Sequence, residues 1–303
     1  MKKRYQRWKC FAFLIPSLAG VSVFVFIPFW DVVRRSFMST FGDTFIGLQN
    51  YRSVFTNTAF KLAAVNTGRF LILCVPSLMA VSLLLANIVY HRNRSANPVI
   101  RTLRKNHIFD KLYSQSMQLY RRVCLLPMAV PVASLVFVWN MLFHRNGLIN
   151  SYFGFSEDWL HSSSAFAVLT VSFLWKNTGY YVVLWLSGLE NIPESLYEAA
   201  ELDGAGTFSK FFHITLPGLK PMTSAVLILA LTNAFKVYRE CYLLAGEYPD
   251  KSIYMIQHIF YNWFRDMAVE KIAAGAVVTV CIFTVIVFPF RKKGGGNLET
   301  LYR

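Results

Sequence analysis

Apolar residues in this chain come in long unbroken blocks, neither at the three-to-four-residue spacing of a half-buried helix nor in the alternation of a strand. A helix needs about 20 apolar residues to cross a hydrocarbon core about 30 Å thick. Six segments reach that length, at roughly 11–33, 67–90, 122–143, 164–189, 219–243 and 270–290. The pattern predicts an all-α membrane protein, a bundle of six transmembrane helices over residues 11–290. A basic stretch, 1–10, precedes it and a short tail, 291–303, follows. Pro76, Pro127, Pro131, Gly179 and Gly188 fall inside the apolar blocks. Neighbouring helices can satisfy the backbone groups they free.

Composition agrees: hydrophobic residues make up 55% of the chain and charged ones 16%, with a mean hydropathy of +0.39. A net charge of +15 would suit nucleic acid, but no RNA- or DNA-binding motif is present and no nucleic-acid partner is expected. The basic residues mark alternate connections instead. Lys2, Lys3, Arg4, Arg7 and Lys9 lie at the start; Arg92, Arg94, Arg101, Arg104, Lys105, Lys111, Arg121 and Arg122 lie in 91–121; Arg291, Lys292 and Lys293 lie in the tail. Positive-inside bias therefore places both termini and the connections 91–121 and 190–218 in the cytoplasm. The first apolar block is longer than a signal peptide's and leads into Pro28-Phe29-Trp30-Asp31 rather than a small-residue cleavage site, so it reads as an uncleaved span.

Two connections carry more than topology. The first external one holds Arg34, Arg35, Arg52 and Lys61 against the orientation rule, and Asn50-Tyr51 with Phe55 and Phe60 would give it a modest apolar face, as in a small cap. In 91–121, Ile100, Leu103, Ile108 and Leu112 fall near one helical face. That segment reads either as an interfacial helix on anionic membrane lipid or as a solvated basic loop. Cys10, Cys74, Cys124, Cys241 and Cys281 show no metal or disulfide spacing. The six histidines show no ligand spacing either, so neither a metal site nor a catalytic residue is expected.

The most informative polar segment is 191–217. Asn191 can cap a helix, Pro193 suits its first turn, and Glu194 suits the positive end of its dipole. Leu196, Ala199, Ala200 and Asp203 follow at helical spacing; Gly204 permits a left-handed turn. Phe208, Phe211 and Phe212 are bulky knobs, and Pro217 stops the segment. This predicts a short helix, a sharp turn and a second short helix along the membrane surface. The residues alone leave open whether it is a rigid lever for a moving partner or a well-packed hairpin.

Tyr197-Glu198-Ala199-Ala200, Asp203-Gly204-Ala205, Phe211, Ile214-Thr215-Leu216-Pro217 and Pro221 resemble the EAA signature of binding-protein-dependent ABC importer permeases. Phe13-Leu14-x-Pro16-Ser17, Phe45-Ile46-Gly47-Leu48-Gln49-Asn50-Tyr51, Leu125-Leu126-Pro127 and Gly147-Leu148-Ile149-Asn150 resemble the carbohydrate-uptake (maltose-type) branch. The connection 91–121 is longer than usual there, and Leu244-Ala245-Gly246-Glu247-Tyr248-Pro249 replaces a glycine run. The resemblance implies a type I importer fold and half of a translocation pathway for a sugar or oligosaccharide. A second homologous permease supplies the other half, and an external solute-binding protein delivers the solute. It further implies that Glu198, Ala199, Ala200, Asp203, Gly204, Ala205, Leu216 and Pro217 couple to an ATPase subunit. ATP and Mg belong to that partner: no G-x-x-x-x-G-K-[ST] loop is present, so this chain is not a catalyst and binds no cofactor itself.

Polar residues inside spans are candidates for the pathway, because they are costly unless they face the interior. Trp175, Asn177, Thr178 and Tyr181 in the fourth block, and Asn233 and Tyr238 in the fifth, are the candidates for a sugar, which offers an apolar face and hydroxyls. Lys176, Tyr180, Lys236, Arg239 and Glu240 lie among them. Snorkelling of Lys236, an interface pair of Arg239 with Glu240 and belt tyrosines are the blander alternatives. Rival functions are an importer of glycerol phosphate or peptide and a stand-alone secondary transporter. The near absence of Asp and Glu inside the first three spans and the sixth speaks against the last.

Overall fold

The computed structural model describes residues 14–39, 42–95 and 107–295. The helices are α1 (Leu14–Arg35, with a π-helical stretch at Ser22–Phe26), α2 (Gln49–Thr56), α3 (Thr58–Ser95), α4 (His107–Ala129) and α5 (Val132–Phe143). They continue with α6 (Leu148–Phe153), α7 (Ala165–Glu190), α8 (Glu194–Leu202) and α9 (Thr207–Lys210), which passes into a π-helical turn at Phe211–Thr215. The last four are α10 (Lys220–Phe235), α11 (Tyr238–Ala245), α12 (Ile256–Arg265) and α13 (Val269–Gly295). A two-stranded antiparallel hairpin, β1 (Met38–Ser39) with β2 (Gly42–Phe45), pairs Met38 with Phe45. The chain divides into two compact units, one from the described residues up to Leu62 with Ile256–Ile286, the other from those between Ala63 and Met255 with those from Val287 on.

In the first unit the hairpin and α2 form the small folded segment expected of the first external connection. The Asn50 side-chain amide donates to the Ser36 carbonyl at 3.0 Å and the Met38 carbonyl at 2.9 Å. The Ser36 hydroxyl lies 2.7 Å from the Tyr51 hydroxyl, and Phe37 packs on Tyr51. Asn57 Oδ1 accepts from the Phe60 N–H, so α3 starts at Thr58, nine residues before the expected span at 67. Phe60 then stacks on Trp263. Side chains at Phe260 and Trp263 occupy the space a Cβ would need at Gly275, so α12 and α13 approach closely.

The second unit is organised around α7, whose buried side chains include Phe173, Tyr181, Trp185 and Leu189. Phe70 of α3 meets Phe166 and Phe173 edge-on. Trp185 Nε1–H donates to Ser82 Oγ at 3.0 Å, and Ser82 in turn donates to the Leu78 carbonyl. Two glycines set the approach of neighbouring helices. A Cβ at Gly179 would overlap the Cys124 backbone of α4, and one at Gly188 would press on Leu219 and Met222. Asn66 of α3 holds the segment after α11, donating to the Lys251 carbonyl at 2.6 Å and the Tyr254 carbonyl at 3.0 Å.

Among the described residues four helices are long and apolar enough to cross a membrane: Leu14–Arg35, Thr58–His91, Lys220–Ala245 and Val269–Phe290. The third expected span, 122–143, is not one straight helix. Gln118–Ala129 and Val132–Phe153 meet at 81° and count as one further span only if taken together. Pro131 is the cause, since it lacks an N–H and pushes Val130 out of the helical region. The fifth expected span, 219–243, is present as Lys220–Ala245, with a turn at Lys236 and Val237 between α10 and α11. α7 covers about 39 Å at 1.5 Å per residue but carries Lys176, Asn177 and Thr178 at its centre and is not among the four. Of the connection 91–121, Ile100 and Leu103 lie outside the described residues; from His107 on, the chain is already helix α4.

We expect Gly179→Val to lower the thermal midpoint in detergent by several degrees, an overpacking cost of about 1–3 kcal/mol. Gly68→Ala, inside α3 where an added Cβ meets nothing within 4 Å, serves as the control and should melt no lower than the parent.

Candidate functional site

The segment after α7 has an inner and an outer face. Asn191 closes α7 rather than opening the next helix: its N–H bonds the Gly188 carbonyl and its side chain the Ser187 carbonyl at 2.9 Å. The expected cap is thus corrected, because Pro193 (φ −56°, ψ 130°) takes the N-cap position of α8 without a side-chain bond. Ile192, buried, fills the space beside Gly218. One turn into α8, Tyr197 is fully buried. Its hydroxyl lies 2.9 Å from Thr215 Oγ1, and the rings of Tyr90 and His91 at the end of α3 pack against it. Both ends of the segment are therefore fastened to each other and to a long helix.

The turn between the short helices follows from Gly204. Its φ of +74° is left-handed backbone that a side chain disfavours. The Gly204 N–H bonds the Glu201 carbonyl and the Ala205 N–H the Ala200 carbonyl, the paired bonds of a Schellman ending. Lys210 Nζ meets Glu201 Oε1 at 3.2 Å and ties α9 to α8. On the outer face Glu198, Ala199, Asp203 and Gly204 are exposed, with Ala200 and Ala205 half-buried. Leu202 is 90% exposed and Phe208 82%, so two large apolar side chains stand out beside the small residues. Leu216 and Pro217, also exposed, lie past the π-helical turn where the chain heads into α10.

Of the candidates in the spans, the structure brings together Tyr181 and Asn233: Asn233 Nδ2 donates to the Tyr181 hydroxyl at 3.0 Å. Asn177 and Thr178 instead bond carbonyls of their own helix, at Phe173 and Leu174, the usual recourse of such side chains inside a helix. Trp175 is half-exposed and meets Trp139 edge-on; Tyr238 packs on Tyr242. Glu240 turns to Lys176 Nζ at 2.7 Å, not to its neighbour Arg239. With 13% and 20% of their side chains exposed, the two charges join α7 to α11 beyond the turn in the fifth span. That pair crosses 64 residues of chain, and no spacing rule could have found it.

The architecture is helical and apolar enough for several membrane crossings, with a fastened segment that presents an exposed face. The family model for the binding-protein-dependent transport system inner membrane component matches residues 115–291, and the chain belongs to that family. It is 30% identical over 285 residues to the probable ABC transporter permease protein YurN of Bacillus subtilis (strain 168), covering 89% of this chain and 90% of that one. It is 28% identical over 296 residues to the trehalose/maltose transport system permease protein MalF of Thermococcus litoralis, covering 94% and 92%. Among solved structures, a bacterial ABC transporter involved in the import of the acidic polysaccharide alginate superposes with a TM-score of 0.75 at 20% identity, covering 97% of each chain. This last match bears on the fold.

Replacing Tyr197 with Phe removes the bond to Thr215 and should cost about 1 kcal/mol locally. Backbone amides of 194–215 are then expected to exchange about fivefold faster, read by hydrogen–deuterium exchange of the detergent-solubilised protein.

Proposed function

We propose that this chain is the permease subunit of an ATP-driven importer and forms half of the pathway for a sugar or oligosaccharide handed over by an external binding protein. The observation that carries this is the segment 191–217: fastened inside through Tyr197 and Thr215, it presents Glu198, Ala199, Asp203, Leu202 and Phe208 outward. Such a body moves as a unit when a partner pushes it. In this reading the partner is an ATPase subunit holding ATP and Mg, the small residues allow close approach, and Leu202 and Phe208 fill its groove. Six spans, both termini in the cytoplasm and a second permease chain complete the arrangement. The Tyr181–Asn233 pair and the half-exposed Trp175 supply hydroxyl, amide and ring surfaces of the kind a sugar uses. The family's dependence on a binding protein removes the stand-alone secondary transporter from consideration.

The test begins with a mild-detergent pull-down from the native membrane. An ATPase and a second permease are expected to accompany the chain, and the co-purified binding protein is then screened against neutral sugars, glycerol phosphate and peptides. A non-sugar ligand would redirect the substrate while leaving the importer standing; recovery of this chain alone, active without ATP, would end the proposal. Gly204→Val forces a β-branched residue into left-handed backbone, a cost of about 1–2 kcal/mol at the turn. Uptake is expected to be lost while the protein still reaches the membrane, measured by transport of the identified solute into cells.

A further inference from the structure

Whatever holds the end of α7 also holds the segment that follows it. The last residue of α7 is Glu190, and both its carboxylate oxygens accept from Arg121 Nη2 on α4, at 2.5 and 2.6 Å. Farther up, the same two helices touch backbone to backbone, since a Cβ at Gly179 would overlap the Cys124 carbonyl. From Gly179 to Glu190 is about 16 Å of helix, and from Cys124 to Arg121 about 4–5 Å. The helices are thus joined at two levels, by a rigid backbone contact and, toward the segment 191–217, by a long side-chain strut.

The strut is not in its strongest form. Guanidinium and carboxylate pair best as a fork, with two nitrogens each facing one oxygen. Here a single nitrogen serves both oxygens, and the buried Nε–H of Arg121 has no partner among the described residues. A swing of the Glu190 carboxylate toward Nε would fill that donor and complete the fork. The pair would then have two discrete arrangements, which is what an element needs in order to pass on motion. Its side chains are 32% and 43% exposed, so water screens the charges and the pair contributes geometry more than stability.

We propose that Arg121 and Glu190 form a two-position clamp that transmits displacement of the segment 191–217 to α4, pivoting at the Gly179–Cys124 contact. Both are positioning residues for transport, touching neither solute nor nucleotide. The proposal rests on the reading of 191–217 as the part that meets the ATPase.

The test uses the assembled transporter in proteoliposomes with its binding protein and solute. Glu190→Gln is expected to keep the ATPase bound and basal ATP hydrolysis within about twofold, while solute moved per ATP falls about tenfold. The exchange Arg121→Glu with Glu190→Arg is expected to restore most of that yield, which a loss of fold could not do. Normal yield in Glu190→Gln, a loss of ATPase binding in it, or no rescue by the exchange would each overturn the clamp. Gly204→Val separates the two readings. If it stops uptake while Glu190→Gln does not, only the clamp falls; if it transports normally, the coupling segment itself is misassigned and the clamp falls with it.

Discussion

The second unit depends on burying α7 in a solvent that gives helices no hydrophobic reason to associate. Lipid tails are as apolar as leucine, so association rests on close packing and on hydrogen bonds between helices. Both are visible along α7. Gly179 and Gly188 remove the side chains that would hold α4 and α10 away. Trp185 to Ser82, Asn233 to Tyr181 and Lys176 to Glu240 supply polar links at successive levels. α7 thus combines a polar centre with burial along half of its positions. The same polarity that keeps it out of the apolar set of spans gives its neighbours something to bind.

Legibility in the sequence followed the range of the interaction. Apolar runs report local burial, so among the described residues four of the expected spans return as helices long and apolar enough to cross a membrane, with ends displaced where a local bond decides. Asn57 starts α3 early by accepting from the Phe60 N–H, a bond that hydropathy does not register. Pro131 was visible as a residue, but whether a proline bends a span or ends it depends on what packs beside the break. The turn at Gly204 was readable because left-handed backbone selects glycine nearly alone. The links of Tyr197 to Thr215, Lys176 to Glu240 and Arg121 to Glu190 were not. Each joins residues 18 to 69 positions apart, and no periodicity encodes which polar residue will find which.

Misreading Asn191 is instructive in the same way. An Asn two residues before a proline suits the start of a helix as well as the end of one. What decided was the preceding helix, long and well packed, whose last carbonyls at Ser187 and Gly188 had to be satisfied. The Asn191 side chain answers that need, and α8 begins with its N-cap side chain unbonded. A cap belongs to whichever helix has more to lose.

The fastening of 191–217 also explains why the segment can be polar and glycine-containing yet stiff. A loop transmits force only if deforming it costs more than moving what it is attached to. Tyr197, fully buried, would have to give up its bond to Thr215 and its contacts with Tyr90 and His91 together before α8 could move alone. Displacing the segment as a body keeps the bond to Thr215 and loads the contacts with Tyr90 and His91 of α3 together with the connections at its two ends. One end is α7, held at Glu190 and Gly179; the other is the turn at Leu216 and Pro217 leading into α10. In the proposed reading, motion imposed on the outer face has three routes into the helices, through α3, α7 and α10, and the route through α7 leads to the Tyr181–Asn233 and Lys176–Glu240 links. In that reading, the fastened short segment and the enclosed long helix are two halves of one transmission.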